Sequence, residues 1–172
     1  MKKFLTVLTI VLMLAIIFRA TVTFPENARQ PSRQEIDGYM KKAAQLYDEG
    51  SYAEAITWYH KAADHGNAWG QNNLAWILAT FRIPGFRDGT RAVLYALKAT
   101  EQEPNNPAFV RTLAAAYARN GEFDKAVEVQ NRVRVLLQKK NNLSEELREF
   151  LRQDHREKLE LYQQHTAYVD EK

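Results

Sequence analysis

Apolar positions along this chain change their spacing from one stretch to the next, and each spacing predicts a different element. Phe4 to Phe18 is an apolar run of fifteen residues, with Thr6 and Thr9 among them, behind Lys2 and Lys3. Pro25 to Gln34 is polar and proline-bearing, the composition of a tether. From about Ile36 to Val135, small and bulky apolar residues fall three and four apart, the interval of one helix face. After Asn142 or Ser144, either of which can cap a helix, Leu147, Phe150, Leu151, Leu159 and Tyr162 make a stripe in an otherwise charged segment. The pattern predicts an all-α chain: a membrane-targeting segment over 1–24, a linker over 25–34, paired helices over 35–138 and a capping helix over 142–166.

The paired helices repeat. Gly50, Tyr52, Ala55, Tyr59 and Ala62 return as Gly121, Phe123, Ala126, Gln130 and Val133, each 71 positions later, with a looser copy between them at Ala92, Ala96, Ala99 and Pro104. A period in the mid-thirties built of helix pairs predicts an α-solenoid of three helix-turn-helix units, in which a unit buries its apolar face only against its neighbours. Alanine facing another helix permits close approach, and Tyr or Phe fills the space between hairpins. Gly50 and Gly121 supply the positive backbone angle that ends a first helix, while Pro104 and Pro107 separate the second unit from the third. About five extra residues lie in the turn of the middle unit, Thr80 to Thr90, where Pro84, Gly85 and Gly89 support a loop. That loop is either a contact point on the rim or a spacer pinned by a buried Phe81 or Phe86.

The stretch from Ile36 to Val135 resembles three tetratricopeptide repeats. Ala43, Leu46, Gly50, Ala55, Tyr59 and Ala62 carry the likeness in the first unit, and Thr112 to Tyr117, Asn120 to Phe123 and Lys125 to Val127 carry it in the third. Lys61 to Ala68 is also similar to a Sel1-like repeat. The resemblance implies a concave groove lined by the first helices, presenting Met40, Tyr47, Asn72, Asn73, Trp76 and Arg111 to a peptide or partner helix. An asparagine there can hold a peptide backbone through paired donor and acceptor, flanked by rigid Trp and Tyr surfaces. Asn73 stands where carboxylate-clamping members of the family carry an asparagine, but Met40, Ala44, Ala108 and Thr112 replace the remaining clamp residues. Asn72 and Asn73 have a second reading, as residues that tie the hairpin or face solvent.

Charge and composition place this domain. The net charge of +3 divides into +4 over residues 1–34 and −1 over the rest, so the repeat region lacks the basic footprint of a nucleic-acid partner. Lys2, Lys3 and the apolar run fit a secretory signal, and Phe18-Arg19-Ala20 lacks the paired small residues of a cleavage site. A helix from Phe4 to Phe24 would be about 31 Å long, enough to cross a bilayer with Arg19 snorkelling. The expectation is an uncleaved inner-membrane anchor with its start in the cytoplasm and the repeats on the periplasmic side of a bacterial cell. The alternative is a soluble, exported domain after cleavage. Without cysteine the chain has neither a lipid-attachment thiol nor disulfides.

Catalytic chemistry is poorly represented. His60 and His65 are five apart, and His155 and His165 ten apart, spacings that do not put two imidazoles on adjacent turns. Glu145, Glu146 and Glu149 sit at a helix start, where the dipole accounts for them. No glycine-rich phosphate loop or nucleophile elbow occurs. The sequence therefore predicts no catalytic residue, metal or cofactor, and a binding module for a peptide or helix. Self-association through the last helix is the alternative, and a metal-dependent enzyme using His60 and His65 the distant one.

Overall fold

The computed structural model describes residues 29–139 and 143–170. The chain divides into two units, Met1–Pro31 and Ser32–Lys172. The predicted membrane segment falls outside the described residues, and no helix among those described is long and apolar enough to cross a membrane. The second unit is all-helical, with seven α-helices and no strand among the described residues: α1 (Arg33–Asp48), α2 (Tyr52–Asp64), α3 (Ala68–Thr80), α4 (Gly89–Gln102), α5 (Pro107–Arg119), α6 (Phe123–Gln138) and α7 (Glu145–Gln163). Each packs on the next, and α3 also packs on α5.

Local chemistry sets the ends. Ser32 forms a capping box with Glu35, so α1 starts at Arg33, inside the stretch expected to be linker. Asn67, Asp88, Asn106 and Ser144 each cap the next helix through a side-chain oxygen. Gly50 and Gly121 have φ of 80° and 81°. The two turns share one bonding pattern: Gly50 N donates to Tyr47 O and Ser51 N to Leu46 O, as Gly121 N does to Ala118 O and Glu122 N to Tyr117 O. The two turns, 71 residues apart, thus make equivalent hydrogen bonds.

The core runs through the alanine positions. Ala43, Ala55, Ala62, Ala75, Ala92, Ala96, Ala114 and Ala126 are fully buried, letting helix axes approach closely. α3 is buried over most of its surface between Gly70 and Thr80, with Asn73 and Trp76 half-buried on its one open side. The Thr80–Thr90 insertion does not stand away from this core. Phe81 is 1% exposed and meets the rings of Tyr52, Tyr47 and Phe86 at 4.7, 6.0 and 5.7 Å between centroids. Arg82 donates to the Tyr52 hydroxyl at 2.9 Å, and a short 3₁₀ turn, Pro84–Phe86, carries the chain back to Asp88.

α7 differs from its prediction. The helix occupies Glu145–Gln163 rather than 142–166, because Ser144 takes the cap and Gln164 N closes the last turn. Its buried face is His155, Lys158 and Tyr162, whereas Leu147 and Phe150, expected in the apolar stripe, are 44% and 58% exposed. Tyr162 packs among Ala114, Ala118 and Ala126. Gln130 Nε2 on α6 meets His155 Nδ1 at 3.2 Å, and the Lys158 ammonium is met by Asp154 and by the face of Tyr168, 4.0 Å from the ring centroid. Lys158 can be buried because its charge is matched on both sides.

Candidate functional site

Four of the six predicted groove residues come together. Tyr47 from α1 and Asn73, Trp76 and Ile77 from α3 line a cleft of about 340 Å³ with Tyr59 of α2 and Asp170 of the chain's own tail. Arg111 of α5 lies over the Trp76 ring at 5.0 Å and pairs with Asp154 of α7 at 3.7 Å. Stacking on the indole leaves the guanidinium edge for the carboxylate.

The other two lie elsewhere. Met40, on α1, packs against the core and is not among the residues that line the cleft. Asn72 is 6% exposed and donates to Asn73 Oδ1 at 3.4 Å. Its side chain is turned into the core about 100° round the helix from that of Asn73, which is half-buried and lines the cleft. Of the two asparagines expected in the groove, only Asn73 lines the cleft.

The chain's own tail lies against the cleft, where an open groove was expected. After α7 the chain turns at His165, whose φ is 56° and whose ring stacks on Phe123 at 5.0 Å. It then runs extended from Ala167 to Asp170 past the C-terminal ends of α3 and α5. Asp170 N donates to Thr80 O at 2.8 Å, forming a parallel bridge between Phe81 and Asp170. Trp76 Nε1 donates to the Asp170 carboxylate at 3.1 Å. Arg119 ties both sides, donating from Nε to Ala79 O at 2.6 Å and from a terminal nitrogen to Tyr168 O at 3.0 Å. The Tyr168 ring tilts against Trp76, 6.1 Å between centroids.

Electrostatics at the cleft follow from this closure. Burial raises the Tyr47 hydroxyl above its ordinary pKa, and the Asp170 carboxylate raises it further. Tyr168 is raised by the same two causes in the same order. Burial also raises Tyr59, against a hydrogen bond from Asn73 that pulls it down. Arg119 is lowered by burial first and by Arg87 second. The three tyrosines therefore stay protonated through the physiological range and act as hydrogen-bonding, apolar walls.

Other chemistry is scarce. His60 is engaged by Asp64, Arg91 and Tyr95, each at 3.0 Å. Among the described residues no group of three His, Asp or Glu is placed to hold a metal ion. A second cavity, about 260 Å³ between α6 and α7, is edged by Arg134, Arg152 and Arg156 around Leu137 and Leu151, with Arg152 and Arg156 already paired to Glu145 and Glu149. No family model matches the chain, and no curated protein is similar to it in sequence.

Proposed function

We propose that the chain is a non-enzymatic protein-interaction module that holds an extended peptide in the cleft of Tyr47, Asn73 and Trp76, with Arg111 stacked on Trp76 beside it. In this reading α1–α2, α3–α4 and α5–α6 are three stacked hairpins of the tetratricopeptide type, α7 caps the last, and the N-terminal apolar run tethers the module to a membrane or exports it. The observation that carries the reading is the tail, an extended segment already held in the cleft by backbone and indole hydrogen bonds. Peptides that add to exposed backbone gain affinity from main-chain bonds and specificity from alternate side chains. The matched turns at Gly50 and Gly121 support the repeat assignment.

Photocrosslinking in intact cells tests it. A benzophenone side chain in place of Tyr47 is expected to give discrete adducts that disappear when Asn73→Ala is added. The same group in place of Leu94, half exposed on α4, is expected to give none of them. Identical adducts from both positions, or none from Tyr47, would sink the proposal. A second reading, self-association through α7, draws on the exposed Leu147 and Phe150.

A further inference from the structure

We infer that the cleft recognises in a partner the pattern it holds in its own chain: an extended segment with an aromatic residue followed two positions later by an aspartate or glutamate, lying parallel to the chain at Phe81. The inference rests on the peptide-binding reading above and names the ligand's chemistry. Tyr168 and Asp170, two positions apart, both meet Trp76, one through its ring and the other through its carboxylate, while Val169 lies half-buried between them. The surface they meet offers two different seats. One is aromatic and cationic, with the Lys158 ammonium 4.0 Å from the Tyr168 ring centroid and Trp76 tilted beside it. The other is a donor, the Trp76 indole N–H, which accepts nothing and so selects an acceptor such as a carboxylate.

The remaining contacts read only backbone. Asp170 N bonds Thr80 O, and Arg119 bonds Tyr168 O while anchored on Ala79 O, so any extended chain of the right register satisfies them. Arg119, Arg111 and Lys158 put positive charge around the Tyr168 and Trp76 positions, with Lys158 and Arg111 sharing Asp154. Exchange of the tail for a partner segment would leave α7 in place. The tail follows a helix that stays anchored by the fully buried Tyr162, and it pivots at His165, a residue in the left-handed region that few side chains adopt readily. A partner segment of the same pattern therefore competes with a tethered occupant, and its observed affinity is lowered by the tail's effective concentration.

The test uses the purified full-length protein and a fluorescein-labelled synthetic peptide with the sequence of residues 164–172. The unlatched variant Tyr168→Ala/Asp170→Ala is expected to bind this peptide at least about tenfold more tightly than wild type, because the tethered competitor is gone. Adding Trp76→Ala to the unlatched variant, or replacing the peptide's aspartate by alanine, is expected to weaken binding by about tenfold or more. Asp170→Ala alone provides a milder unlatching, and circular dichroism checks that both variants keep wild-type helix content. Equal affinity in wild type and unlatched protein, or indifference to the peptide's aspartate, overturns the inference. A wild-type dimer that becomes monomeric on unlatching also overturns it, since the occupant is then the tail of a second copy. If the peptide fails to bind while crosslinking from Tyr47 still gives Asn73-dependent adducts, the motif fails and the peptide-binding reading survives. Failure of both removes both.

Discussion

Gly89 is a residue whose importance lies in what it omits. It is the first residue of α4, behind the Asp88 cap, and a β-carbon there would fall 2.8 Å from the carbonyl carbon and oxygen of Arg119 and from Asn120 Cα. Those neighbours are backbone, which cannot swing aside as a side-chain tip can. In an open helix position Gly→Ala gains up to about 1 kcal/mol. Here Gly89→Ala is expected to destabilise instead, by about 1 to 3 kcal/mol, through forced separation of α4 from the end of α5. Thermal unfolding checks the sign, and an unchanged or raised Tm would show that the two segments are not in contact. The sequence presents Gly89 as a loop glycine because the contact that requires it comes from residues thirty positions away. Arg119 was hidden for the same reason: its partners, Ala79 O and Tyr168 O, are main-chain atoms of remote segments and leave no mark on periodicity.

At the scale of elements, periodicity was most reliable where burial is made of alanine and glycine turns, and least where it is polar. The helix pairs at Gly50 and Gly121, and the buried Ala55 and Ala126, follow directly from the spacing. α7 does not, since its buried face includes His155 and Lys158, residues that a hydropathy pattern assigns to water. The seam between α6 and α7 also repeats an earlier one, for Gln130 meets His155 where Tyr59, its counterpart 71 positions before, meets Asn73. A polar seam of this kind titrates. Burial lowers the His155 pKa below the ordinary 6.5, Arg134 lowers it further and Asp154 opposes them. The folded protein therefore holds His155 neutral while the unfolded chain takes up a proton as pH drops below 6.5, so stability rises with pH across that window and is lost as pH falls through it. Melting temperatures from pH 7 to about pH 5 are expected to fall more steeply for wild type than for His155→Gln. Parallel profiles would mean that His155 is as readily protonated in the folded protein as in the unfolded chain.

For the whole molecule, the question is whether α7 finishes this domain or joins it to another copy. Its inner face answers through Tyr162, fully buried among Ala114, Ala118 and Ala126, so cutting the chain before Leu143 exposes core under either reading and cannot separate them. The outer face can. Leu147 and Phe150 lie 44% and 58% exposed on one side of the helix, three positions apart, and a self-associating protein would bury them against their counterparts. Replacing both by glutamate leaves Tyr162, Lys158 and His155 in place and puts charges only on the outward side. If the cleft and its tail are the functional surface, Leu147→Glu/Phe150→Glu is expected to keep the wild-type sedimentation coefficient and to change the free energy of unfolding by no more than about 1 kcal/mol. A drop from dimer to monomer mass would instead make α7 the working surface, with the tail reduced to a strap that closes the fold around it.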